Sequence, residues 1–135
     1  MNKTRLQILI AVVVIMVTAL ACGGSVSTAK ISNAYLSNDS DGNNETTSFA
    51  PDETFYAIVE VQNAPDDTEL RAVWIAADVE DVEPDYVIDE ASITTEGMDT
   101  FTFDLSNSSG WPQGKYKVDI YMNDKLDRTL EFEVD

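Results

Sequence analysis

The C-terminal part of the chain carries the clearest alternation of apolar and polar positions. Every second residue from 116 to 122 is apolar, and so is every second residue from 130 to 134. A period of two gives a β-strand one apolar and one polar face. Asn123, Asp124 and Lys125 form a turn sequence between the two segments. The pattern predicts a hairpin whose apolar face must be covered by a second layer.

Five further strands are predicted before the hairpin, at residues 31–37, 54–62, 70–77, 86–95 and 101–105, separated by turn or loop sequences. Residues 70–77 are apolar on both faces apart from Arg71, which is typical of a central strand. No segment of this region has a helical period. The alternation predicts a core that contains Val59, Val61, Trp74, Phe101, Phe103, Tyr116, Val118, Ile120 and Phe132.

The N-terminus has a different pattern. Lys3 and Arg5 precede an unbroken apolar run at residues 8–17, which small residues and Cys22 follow. These features describe a secretory signal peptide, because the apolar stretch at 6–21 is shorter than the roughly 20 residues of a spanning helix. The sequence Ala-Leu-Ala-Cys at 19–22 resembles the lipobox of prokaryotic lipoproteins. The resemblance implies cleavage before Cys22 and lipidation of Cys22. The alternatives are an uncleaved anchor helix and an ordinary signal peptide with a free thiol.

This interpretation divides the chain into a signal peptide at 1–21, a flexible tether at 22–30 and one domain at 31–135. The tether residues are small and polar, without periodicity. We therefore expect an exported protein that its lipid anchors to the outer face of a prokaryotic membrane, in the cell envelope.

Seven short strands with turns between them indicate an all-β domain. Two features resemble immunoglobulin-like and fibronectin-type-III-like domains: Trp74 in the third strand, where immunoglobulin domains keep a core tryptophan, and Tyr116 at the start of the sixth, where they often place a corner tyrosine. The resemblance implies a single seven-stranded antiparallel β-sandwich. The inter-sheet disulfide of immunoglobulin domains is absent, because the chain has one cysteine.

The charge balance limits the possible partners and chemistry. The chain has 25 acidic and 8 basic residues, a net charge of −17, and no histidine. Removal of Lys3 and Arg5 with the leader would change the charge to −19. Nucleic acid is not expected as a partner, because its phosphates require lysine and arginine.

The lack of histidine excludes Ser-His-Asp and Cys-His sites. A small sandwich also leaves little room for a glycosidase cleft with two placed carboxyls, and we expect no catalysis.

Two loops, at residues 38–45 and 78–85, are rich in carboxylates, the ligands that calcium prefers. The first does not fit an EF-hand. In an antiparallel sandwich both loops emerge at the end opposite the tether, so we expect them to be neighbours. The alternative for each is a solvated connection. No cofactor other than Ca²⁺ is expected, and its predicted ligands are Asp39, Asp41, Glu45, Asp78, Glu80 and Asp81.

Three Asn-x-Ser/Thr triplets begin at Asn38, Asn44 and Asn107. They predict glycosylation if the host modifies exported proteins, although chance triplets are expected in such loops. Trp111, beside Pro112, is the aromatic residue most open to stacking on a ligand, and the alternative is that it plugs the end of the core.

These patterns favour a non-catalytic module that binds a protein or glycan partner through loops on a rigid scaffold. The alternative is an acidic structural or cation-binding spacer in the envelope.

Overall fold

The computed structural model describes residues 29–135. The predicted signal peptide and residues 22–28 of the tether, with the predicted lipidation site Cys22, lie outside the described residues. The chain forms eight strands: β1 (Lys30–Ser37), β2 (Ser48–Phe49), β3 (Phe55–Gln62), β4 (Glu69–Val79), β5 (Tyr86–Thr94), β6 (Thr100–Leu105), β7 (Gly114–Met122) and β8 (Lys125–Val134). Within residues 29–135 no helix could cross a membrane.

The strands form two sheets. One has the order β1-β3-β6 and the other the order β2-β8-β7-β4-β5. Neighbouring strands are antiparallel, except that β2 runs parallel to β8 through the pairs Ser48–Glu133 and Phe49–Val134. The all-β prediction is confirmed, but the prediction of seven strands in an antiparallel arrangement is wrong. Strand β2 was missed because two residues are too few to show an alternation. It forms where the chain crosses from one sheet to the other.

The hairpin of β7 and β8 follows the predicted pattern closely. Asn123 and Asp124 have φ angles of 50° and 64°, which a two-residue hairpin turn of type I′ requires at both central positions. The pairing between β7 and β8 shifts by one residue after Ile120. Beyond the shift, residues of the charged face lie opposite each other, as Lys117 and Glu131 do. The hairpin therefore has one apolar and one charged face.

The core lies between the two sheets. All nine residues predicted for it are buried. Trp74 is 2% exposed, and its ring centroid lies 6.2 Å from that of Phe55 and 6.1 Å from that of Phe132. Burial of each large apolar side chain stabilises the fold by about 1.5–3 kcal/mol, so this aromatic cluster is a main source of stability.

The sandwich has two ends with different loops. At the proximal end the Arg128 guanidinium donates to the Ile31 carbonyl over 2.9 Å, between the starts of β8 and β1. At the distal end Phe49 packs on Phe55, with ring centroids 4.9 Å apart. Loops 38–47, 50–54, 80–85 and 106–113 lie at the distal end. Both acidic loops therefore lie at the end opposite residue 29, as the strand order predicts.

Candidate ligand groove at the distal end

A cavity of about 400 Å³ lies at the distal end of the five-stranded sheet. Strands β4, β7 and β8 and the end of loop 38–47 contribute to it. We call it the distal groove; its lining residues are Thr47, Ala77, Asp78, Lys115, Tyr116, Lys117, Glu131, Phe132 and Glu133. Charged side chains of both signs line the groove on the outward face of the hairpin, whereas the side chains of Tyr116 and Phe132 face the core. The groove therefore suits a polar or charged ligand.

Two lysines distinguish the groove from the acidic surface around it. Lys115 and Lys117 lie opposite Glu133 and Glu131 in the register of β7 and β8. The Lys117 Nζ also lies 3.1 Å from Oδ1 of Asp85. That hydrogen bond, together with the negative charges nearby, raises the pKa of Lys117 above its usual value. Lysine side chains therefore neutralise part of the negative charge of the carboxylates at the distal end.

The wall of the groove at Asp78 depends on a glycine. Strand β7 begins at Gly114, which has a φ of 152° and lies directly against the end of β4. A Cβ at this position would lie 2.7 Å from the Asp78 carbonyl and 3.0 Å from the Val79 Cα. A side chain here would therefore push apart the two strands that line the groove.

Loop 38–47 is held by one of the predicted calcium ligands. The Ser37 hydroxyl and the Asn44 N–H, the latter at 3.1 Å, donate to Asp39 Oδ1. The Asn43 N–H donates to the other carboxylate oxygen at 3.3 Å. Donation from Ser37, followed by that from Asn44, lowers the pKa of Asp39 below its usual value. Both carboxylate oxygens of Asp39 therefore accept hydrogen bonds that hold the conformation of loop 38–47.

The six predicted calcium ligands all lie at the distal end, but they have different surroundings. Only Asp78 lines the groove. The other five lie in the two loops: Asp39, Asp41 and Glu45 in loop 38–47, and Glu80 and Asp81 in loop 80–85. No group of three or more carboxylates among residues 29–135 is arranged to hold a metal ion. The calcium site stays a prediction.

Trp111 closes the distal end of the core. It is 7% exposed, and its indole N–H donates to the Glu53 carbonyl over 3.1 Å. Of the two interpretations of Trp111, the core plug is confirmed, and the buried ring is not accessible for stacking on a ligand. Tyr86, which is 53% exposed, is the accessible aromatic residue of this region instead.

The sequence interpretation missed Lys115 and Lys117, because they are simply the polar positions of a strand. The signal that could have identified these lysines is their position in a predicted hairpin, opposite Glu133 and Glu131. Opposite charges on facing positions of two strands indicate an ordered charged surface.

The three predicted glycosylation sites also lie in distal loops, but their side chains differ. The Asn107 amide donates to the Gly110 carbonyl over 2.8 Å and accepts from the Ser109 N–H. The Asn44 side chain is exposed and Asn38 is half-buried. Glycosylation stays a prediction.

The corner tyrosine expected from the resemblance is present. The Tyr116 hydroxyl donates to the Pro112 carbonyl over 2.6 Å, four residues upstream. This is the contact that the corner tyrosine makes in immunoglobulin-like domains. Burial raises the pKa of Tyr116, so the hydroxyl remains a donor at neutral pH.

Comparison with solved structures agrees with this arrangement. An immunoglobulin-like protein from Pseudomonas aeruginosa superposes with a TM-score of 0.58 at 13% identity, over 81% of this chain and 98% of that one. The chain has an immunoglobulin-like fold. A β-glucosidase from Listeria innocua in complex with laminaribiose gives a TM-score of 0.49 at 14% identity, over 79% of this chain and 16% of the enzyme. A β-glucosidase from Kluyveromyces marxianus gives 0.48 at 16% identity, over 82% of this chain and 15% of the enzyme. No family model and no curated protein matches the chain.

Proposed function

We propose that this protein is an exported lipoprotein whose immunoglobulin-like domain presents the distal groove to a protein or glycan partner, without catalysis. The observation that carries the proposal is the position of the groove. Strand β1 begins at the proximal end, whereas the groove and the longest loops lie at the distal end. A lipid on Cys22 would therefore hold the proximal end toward the membrane and leave the groove accessible.

Three properties of the groove support a binding role. It is concave, it combines amines, carboxylates and a hydroxyl, and it lies on a rigid sheet. Exposed charges on a rigid scaffold contribute specificity and association rate more than affinity. A protein partner with mixed charge and a hydroxyl-rich glycan are both compatible with these groups.

Anchoring is tested with Cys22→Ser in cells that express the full chain. The variant should lose lipid label and leave the membrane fraction, or remain as the unprocessed precursor. Stable anchoring generally needs more than one acyl chain, so mass spectrometry of the mature N-terminus should show a multiply acylated cysteine. A Cys22→Ser protein that is processed and membrane-bound like the parent contradicts the anchor.

The role of the groove is tested by a matched pair of charge reversals. Lys115→Glu changes the groove, whereas Lys125→Glu changes an exposed lysine at the proximal end. Proteins and glycans that copurify with the parent from its envelope should be depleted by Lys115→Glu and retained by Lys125→Glu. Equal retention by both variants would place binding elsewhere.

A further inference from the structure

Strand β5 is the open edge of the five-stranded sheet. It pairs with β4 on one side only. Within residues 29–135 no other backbone segment hydrogen-bonds to it, and the Glu90 N–H is bound by the Asp89 side chain at 2.9 Å. Seven of its nine residues are exposed. An edge strand with unpaired backbone groups is a template for pairing with another strand.

The other edges of the sandwich are less available. Strand β2, at the opposite edge of the same sheet, has two residues. The edge at β1 is tied to β8 by the hydrogen bond between Arg128 and Ile31. Strand β6 is shorter than β5, and its two phenylalanines are buried. Tyr86 and Val87, by contrast, are 53% and 51% exposed at the start of β5.

The charge of β5 determines what can pair with it. Asp89 and Glu90 are exposed near its centre. The one cation within 4 Å of either carboxylate in the described chain is Arg71, at 3.9 Å from Glu90, and Arg71 lies equally far from Asp124. Full antiparallel overlap of two copies of β5 would set Glu90 opposite Glu90, and like charges at such positions are destabilising. A second copy is therefore disfavoured, and a basic strand is favoured.

We propose that β5 is a docking edge that accepts an extended lysine- or arginine-containing segment of another protein as an added strand. Main-chain hydrogen bonds hold the segment, and its basic side chains select it by pairing with Asp89 on one face of the sheet and with Glu90 on the other. Tyr86 and Val87 supply apolar contact at one end of the strand. Asp89 and Glu90 do not line the distal groove, so the test of this edge and the test of the groove can fail independently.

The probe is a capped nine-residue peptide of valine and lysine with two adjacent lysines at its centre, one for each face of the sheet, added to the full chain in nonionic detergent. Binding should slow amide hydrogen exchange in residues 86–94. A second peptide of the same sequence with alternate backbone nitrogens methylated keeps the charge but cannot complete the ladder, and it should not protect β5. The double variant Asp89→Asn/Glu90→Gln should weaken binding by about two- to fivefold, as expected for exposed ion pairs.

The matched control is Asp66→Asn/Asp67→Asn, which removes two exposed carboxylates from the proximal loop 63–68. It should bind the peptide like the parent. Equal binding of the methylated peptide, equal weakening by both double variants, protection outside β5, or a dimer of the free protein joined through β5 would each overturn the proposal.

Discussion

The rings of Trp111 and Phe55 stack with their centroids 4.6 Å apart and 20° between their planes. Trp111 lies in the distal loop that leads from β6 to β7, and Phe55 begins β3 in the three-stranded sheet. The stack lies directly beneath the distal loops and meets the five-stranded sheet at Tyr116 of β7. Both rings also lie near Tyr116, at 6.1 Å and 5.8 Å between centroids. This packing makes the distal end a rigid surface.

Trp111→Ala should lower the free energy of unfolding by about 3–5 kcal/mol, as large aromatic truncations do. Trp111→Phe keeps a ring for stacking but loses the hydrogen bond to Glu53 and should cost less. Denaturant unfolding followed by circular dichroism gives both values. An unchanged midpoint for Trp111→Ala would contradict the assigned burial.

Gly114→Ala should destabilise the protein more than Gly97→Ala does. Both glycines have positive φ angles, so alanine is strained at either site. A Cβ at Gly97 meets nothing within 4 Å, whereas at Gly114 it meets backbone atoms of Asp78 and Val79. Thermal melting of the two variants makes the comparison. Equal losses of stability would mean that the close approach to Asp78 has no cost.

The pKa of Asp39 should lie below its usual value and should rise toward it in Ser37→Ala, which removes the first of its stabilising hydrogen bonds. A carboxylate with a lowered folded-state pKa stabilises the protein above its unfolded pKa. That contribution is lost as the pH falls through the folded pKa. NMR titration of the Asp39 side chain in parent and variant measures the shift. Identical titration curves would show that the Ser37 contact has no electrostatic effect.

The fold shows where sequence patterns are sufficient. Trp74 and the hairpin were predictable, because alternating faces and a two-residue turn are local properties. Strand β2 was not, since its two residues gain their structure from a nonlocal parallel pairing with β8. A core plug at Trp111 was one of the two interpretations of the sequence, but its stack on Phe55, which is 56 positions away, could not be predicted from a local pattern.

The candidate site shows a different limit. The predicted strand order correctly placed the two acidic loops at the same end of the sandwich. It could not show that Lys117 would pair with Asp85, because that contact depends on how loop 80–85 folds against β7. It also could not show that Asp39 would hold its own loop through Ser37 and Asn44. Side-chain contacts between loops are set by packing and cannot be read from composition.

The predicted calcium site is tested by melting the protein in millimolar calcium and in sodium chloride at matched ionic strength. A site predicts a saturating, calcium-specific rise in Tm, because a ligand that binds only the folded state stabilises it. The rise should be lost in Asp39→Asn/Asp81→Asn and would favour the envelope-spacer function. Equal rises in both salts would instead indicate screening of the net charge of −17.

Photo-crosslinking in intact cell envelopes tests most directly whether the protein presents the distal groove to a partner. A photoreactive residue replaces either Lys115 in the distal groove or Lys125 at the proximal end, in the full chain with Cys22 unchanged. A lipid-anchored module that presents the groove should give a discrete crosslinked partner from position 115 and none from position 125. The same partner captured from both positions, or from position 125 alone, would contradict the proposed orientation and function.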